Sequence, residues 1–186
     1  MRIFAISCEV FARLMYASAA TSPHVIDMRL VDKGLHSKPQ ELQKYLQKLL
    51  NEIDPNKYDA IVLGYGLCSN ATAGLTAPIK MIIPRAHDCI TLFLGNREKY
   101  AAEFREHPGT YWYEPDYMER NSSSNDFLSL GSDSDQDIQE QYAEYVAKYG
   151  KSNADYLMQT MGAWKKHYDR AAFIRIKDVP LPDYTP

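Results

Sequence analysis

Tyr58-Asp-Ala-Ile-Val-Leu-Gly-Tyr-Gly-Leu-Cys-Ser-Asn70 is the stretch whose reading decides the fold. Its apolar run from Tyr58 to Leu63 breaks at Gly64-Tyr65-Gly66, as a fully buried strand does when it passes into a loop. The pattern recurs on either side. Ile3 to Ser7 is a short apolar run closed by Cys8, and Ile79 to Ile83 runs into Pro84-Arg85-Ala86-His87-Asp88-Cys89. Between these runs lie helical patterns. Val10, Phe11, Leu14, Met15 and Ala17 share one face, and Thr21-Ser22-Pro23 ends that helix. A second strand spans His24 to Val31. Leu42, Tyr45, Leu46, Leu49, Leu50 and Ile53 form a 3-4 apolar stripe, and Ser37 with Gln40 reads as its capping box.

Further on, helices are expected over Cys89–Leu94 and from Arg97 to about Glu106, with a fifth strand over Thr110–Tyr113. Two more helices follow. One carries Tyr142, Tyr145, Val146 and Tyr149 and stops at Gly150. The other starts at Ser152, with Asp155 as box partner, and buries Leu157, Thr160, Met161 and Trp164. Ala171–Ile176 reads as a last strand or an extended tail. Alternating strands and helices favour a parallel sheet with right-handed crossovers. The expected fold is therefore α/β, a three-layer doubly wound, mostly parallel sheet of about five strands in the order 2-1-3-4-5, with extra C-terminal helices. A chain of 186 residues is expected to form a single domain over 1–186. The Ser-rich stretch 121–137 reads as a mobile loop, either a lid or a plain surface insertion.

Composition narrows the function classes. The chain is 45% apolar and 24% charged, with a net charge of −3 and 14 tyrosines. Without a basic run, a nucleic-acid phosphate track is disfavoured. No stretch approaches the length of about 18 apolar residues that crosses a bilayer. Glu9 interrupts the apolar start too early for a signal-peptide core. Three cysteines cannot all pair within one chain, so a cytoplasmic protein with free thiols is expected.

Cys8, Cys68 and Cys89 each follow a strand expected to neighbour the others, at the sheet's carboxyl edge, where doubly wound folds place their sites. Inert buried thiols are the bland alternative, since free cysteine is among the most buried residue types. Each thiol also lies near an expected helix N-terminus, which favours the thiolate that soft metals need. The leading expectation is a metal-centred protein with Cys8, Cys68 and Cys89 as ligands. The group would be a 4Fe-4S iron–sulfur cluster with one open iron, or zinc with His87 or the less well-placed His24 as fourth ligand. The alternative is a metal-free module that binds a small molecule or anion at Gly64, Tyr65, Gly66, Ser69 and Asn70 and at Arg85. A third reading makes Cys89 a nucleophile and His87 its base, although neighbours two apart rarely have that geometry.

Arg85 can clamp a carboxylate or phosphate, or pair with Glu9 or Asp88. Asp88 can orient His87, act as a base, or cap the helix after it. Catalytic roles, if any, would fall to Arg85, His87 and Asp88. Asn70 and Thr72 can cap a following helix, and Tyr65, Tyr111 and Tyr113 read as packing residues.

The segments Leu63-Gly-Tyr-Gly-Leu-Cys-Ser-Asn70 and Ile83-Pro-Arg-Ala-His-Asp-Cys-Ile90, with Leu92-Phe-Leu-Gly95, resemble the domain-of-unknown-function family 1638. Pro108-Gly-Thr-Tyr111 and the region from Lys148-Tyr-Gly150 to Arg170-Ala-Ala-Phe173 also resemble it. The resemblance implies a bacterial or archaeal protein associated with corrinoid-dependent methyl transfer from methylamines. A small-molecule substrate and a corrinoid methyltransferase system are the partners it implies. It points to the same cysteines and to the Arg85-His87-Asp88 turn, and it supplies no reaction.

Overall fold

The structure, a computed structural model, describes residues 1–68, 70–120, 135–162, 169–177, 179, 181–182 and 184. It falls into two compact units: Met1–Arg97 with Ile176–Pro182, and Glu98–Arg175 with Asp183–Pro186. The first unit carries a parallel sheet of β1 (Arg2–Cys8), β2 (Val25–Val31), β3 (Ala60–Gly64) and β4 (Met81–Ile82). Their spatial order is β2-β1-β3-β4. The mixed α/β fold with a mostly parallel sheet is thus the expected one.

Sequence accounts for the central strands. Ala5, Ile6 and Ser7 of β1 are all buried, as are Ala60, Ile61 and Leu63 of β3. A strand covered on both faces shows this continuous burial instead of alternation. α1 (Ala12–Thr21) joins β1 to β2, and α2 (Pro39–Asn51) joins β2 to β3. Right-handed crossovers in opposite directions place these helices on opposite faces of the sheet. α2 buries Leu42, Leu46 and Leu50 against Ile6, Val31, Ile61 and Leu63. Each such leucine contributes about 1.5–3 kcal/mol. α1 buries only Ala12.

Several local expectations need correction. Ser37 does not cap α2. It ends a 3-10 turn over Lys33–Ser37, its hydroxyl donates to the Gly34 carbonyl, and Pro39 opens the helix after Lys38. Proline fits a first helical position because its missing N–H would lack a partner there. No helix separates β3 from β4 among the described residues, so Asn70 and Thr72 cap none. The fifth strand is not in this sheet. β5 (Thr110–Tyr113) pairs in parallel with β6 (Arg170–Phe173) in a two-stranded sheet of the second unit. The edge strand β4 has only two residues, and Pro84 soon follows with no N–H to donate, so that edge is a poor template.

In the second unit, Arg170 pairs with Glu103 of α4 (Arg97–Glu106) at 2.8 Å. α5 (Pro115–Glu119) was not expected; buried Glu114 caps it by accepting from the Tyr117 N–H. α6 (Asp135–Tyr149) and α7 (Lys151–Gly162) meet at Gly150, whose φ of 78° ends the first. Asp155 accepts from the Tyr142 hydroxyl at 2.7 Å. Most of the expected 121–137 loop lies outside the described residues, and Asp135 to Asp137 already belong to α6. The side chains of Leu157, Thr160, Met161 and Trp164 also lie outside them. Among the described residues, no helix is long and apolar enough to cross a membrane. α3 (Cys89–Leu94) belongs to the first unit, where Phe93 packs on Phe11 with ring centroids 4.5 Å apart.

Candidate functional site

Two loops meet at the carboxyl edge of the sheet. The first leaves β3 through Gly64, Tyr65 and Gly66; the second leaves β4 through Pro84 to Asp88. Main-chain bonds join them: the Leu67 N–H donates to the Ala86 carbonyl at 2.9 Å, and the Cys68 N–H to the His87 carbonyl at 3.2 Å. Both glycines sit where a side chain has no room. A Cβ on Gly64 would fall 2.5 Å from the Ser7 Oγ, and one on Gly66 would fall 2.9 Å from the Asp88 nitrogen. Their role is close approach of backbones. Thr72 folds back over the first loop and donates from Oγ1 to the Gly66 carbonyl at 3.1 Å.

Asp88 caps α3. Its Oδ1 accepts from the Thr91 N–H and the Thr91 hydroxyl, both at 2.9 Å. Its Oδ2 lies 3.5 Å from Nδ1 of the exposed His87, a distance at which a hydrogen bond is weak. Glu9, the other acid suggested for Arg85, accepts instead from the Lys33 N–H at 3.0 Å.

Between the loops lies an open cleft of about 440 Å³. Arg85, His87 and Arg97 line it, beside Gly66, Leu67 and Thr72. Arg85 and Arg97 are exposed, and neither has a hydrogen-bonding or ionic partner among the described residues. Arg97 was missed by sequence reasoning. It follows α3 and the left-handed turn at Gly95, twelve positions beyond Arg85, and no local pattern links the two.

The thiols behave differently. Cys8 and Cys68 pack partly buried against the apolar core, and Cys89 opens α3. Burial pushes the Cys8 thiol up to about 12, and the neighbouring Cys68 and Glu9 charges add to that rise. Burial also raises Cys68, ahead of the Asp88 charge, and it raises Cys89 well above the ordinary value. Burial therefore disfavours the thiolate at all three positions. Among the described residues, no group of three or more His, Cys, Asp or Glu side chains is arranged to hold a metal ion. This overturns the expectation of a metal-centred protein. Cys8, Cys68 and Cys89 do not form the ligand set of an iron–sulfur cluster or zinc, and neither His87 nor His24 completes one. The expected helix N-termini do not offset burial: Cys68 precedes turns, and Asp88 already caps α3 with a negative charge.

The remaining expected residues divide. Tyr65 is a core residue whose hydroxyl is buried without a hydrogen-bond partner, and burial raises its pKa ahead of the Cys8 and Cys68 charges. Asn70 is exposed with φ of 68°, and Cys68 has φ of 45°. Ser69 lies outside the described residues.

A family model described as protein of unknown function (DUF1638) matches residues 30–185. The chain belongs to that family. The DUF1638 match includes both loops of the cleft with Arg85, His87 and Arg97, and it begins after β1 and Cys8. No curated protein and no solved structure matches the chain.

Proposed function

We propose that this chain binds a small anion, a carboxylate or phosphate group, in the cleft between the β3 and β4 loops. The observation that carries this reading is the pair of exposed guanidinium groups, Arg85 and Arg97, on one cleft with no acidic partner among the described residues. A guanidinium presents a planar fork of donors that matches a carboxylate or phosphate edge. Nearby carboxylates do not occupy these forks: Glu9 is bound to Lys33, and Asp88 is turned to its cap. His87 adds ring nitrogens to the same wall. Joined backbones hold Arg85 and His87 on a fixed turn, which lowers the ordering cost of binding.

Two or three charge-assisted hydrogen bonds in an open, wet cleft correspond to about −4 kcal/mol, or millimolar binding. Titration of ¹⁵N-labelled protein with acetate and with inorganic phosphate, at constant ionic strength, tests this. Saturable shifts are expected at the Leu67, Ala86 and His87 amides. The double substitution Arg85→Ala, Arg97→Ala is expected to weaken binding at least about tenfold, or 1.4 kcal/mol. Shifts that never saturate, or that the double variant leaves unchanged, would remove this function.

A further inference from the structure

The cleft that carries two unpaired guanidinium groups is also apolar in a way that bare anions do not use. We infer that its occupant is an amphipathic organic acid: a carboxylate joined to an apolar body about the size of an aromatic ring or a short alkyl chain. This inference rests on the anion-binding reading above and names the class of molecule that the site takes.

The first observation is exposed hydrocarbon. Leu67 is 39% exposed and Ile83 38% exposed, and both line the same cleft as Arg85 and Arg97. Scattered exposed apolar residues are ordinary on protein surfaces. Here two large ones face one concavity, with Pro84 and Ala86 beside them.

The second observation is that the backbone keeps Leu67 outside. Its N–H is bound to the Ala86 carbonyl, and the next residue's N–H is bound to His87. On one side of it Gly66 is pressed against the Asp88 backbone; on the other, Cys68 holds a left-handed φ of 45°. Turning Leu67 into the core would break these bonds. The backbone at Ile83 is restricted as well, because a residue before a proline is pushed towards extended conformations.

The third observation is size. A cleft of about 440 Å³ falls in the range of about 300–1,000 Å³ typical of sites for organic molecules. The choice of carboxylate follows from Asp88. Its carboxylate lies 3.5 Å from the His87 ring and offsets positive potential on that wall. The end of α3 beside it is already capped by that same carboxylate, whose negative charge disfavours a doubly charged phosphate there. Two guanidinium forks remain, and one such fork matches one carboxylate edge.

Four probes measured on one protein separate this inference from the reading beneath it: acetate, hexanoate, phenylacetate and uncharged hexanol. Each methylene covered by the cleft strengthens binding about fourfold. Hexanoate and phenylacetate are therefore expected to bind at least about tenfold tighter than acetate, and tighter than hexanol. The double substitution Leu67→Ser, Ile83→Ser is expected to bring hexanoate and phenylacetate down to the affinity that the same variant shows for acetate. Both side chains are exposed, so the fold should tolerate the change, and the amide spectrum checks this. Equal binding of acetate and hexanoate, with both lost in the Arg85→Ala, Arg97→Ala variant, would overturn the amphipathic acid and leave the anion site standing. Hexanol binding as tightly as hexanoate would overturn both, and so would no binding by any probe.

Discussion

The rim at the carboxyl ends of the strands has two sides. On one, Cys8 and Cys68 lean on the core beneath the sheet, and their protons are held by burial. On the other, Arg85, His87 and Arg97 face water across an open cleft. Topology delivers both sets of residues to the same edge, as a parallel sheet does. What separates them is desolvation. A thiol taken out of water stays neutral and becomes packing material, whereas an arginine left in water keeps its charge and its free donors. Placement at a strand end is therefore not enough to make a residue chemically active. It must also keep the ionisation state that the chemistry needs.

Alkaline pH strikes this difference hardest. An unfolded cysteine ionises near 9.0, while folded Cys8 holds its proton to about 12. The native state keeps that proton through the interval and the unfolded state gives it up. The contribution to stability is therefore full below pH 9.0 and is lost as pH rises towards 12. Each thiol shifted in this way removes up to about 1.4 kcal/mol per pH unit. Cys68, Cys89 and Tyr65 are shifted in the same direction. Urea denaturation at pH 8, 9.5 and 11 should show a steep fall in the native chain and a shallower one in Cys8→Ala. Equal slopes would mean that Cys8 is not held neutral by burial, and the contrast between the two sides would fail.

The two sides share one seam, and breaking it should disturb both. A Cβ on Gly66 would lie 2.9 Å from the Asp88 nitrogen, 3.0 Å from its Cα and 3.1 Å from the Ala86 carbonyl oxygen. All three are backbone atoms, so no side chain can swing aside. Gly66→Ala is expected to cost about 1–3 kcal/mol, the usual penalty of overpacking. It should also weaken anion binding, because Arg85 and His87 ride on the displaced turn. Denaturation together with the acetate titration checks this. An alanine variant of native stability with intact binding would show that the loops are not locked to each other.

Much of this architecture can be read from residue order. The β-branched runs of β1 and β3 and the leucine stripe of α2 carry their own periodicity, so burial follows directly. The meeting of strand ends at one edge is legible for the same reason. The partner of Thr110–Tyr113 is not, because a strand-forming run does not encode which sheet it joins. Ser37 and Gln40 match a capping box by letter, yet Pro39 between them sets the helix start. The cysteines show the limit most clearly. Their positions at the ends of β1, β3 and β4 follow from sequence. Their protonation depends on how many atoms close around each sulfur, which only packing decides. Arg97 was invisible because the turn at Gly95 brings it to the cleft from outside either loop motif.

The smallest effect sits at the boundary between the two sides. Cys68 has φ of 45°, a left-handed conformation that costs a non-glycine residue about 1–2 kcal/mol. Glycine would relieve that strain and lose about 0.5–1 kcal/mol through its greater freedom when unfolded. Cys68→Gly is therefore expected to change stability by no more than about 1.5 kcal/mol, in the stabilising direction. Asn70, at φ of 68°, should gain less from Asn70→Gly, since asparagine tolerates this region. Urea melts of both variants at pH 7, where the thiol is neutral, measure the difference without a contribution from ionisation. A loss of more than about 1 kcal/mol in Cys68→Gly would show that contacts of the sulfur with the core outweigh backbone strain. The thiol side would then be fixed by its side chains, and the left-handed turn that holds Leu67 outward would be a consequence of that packing.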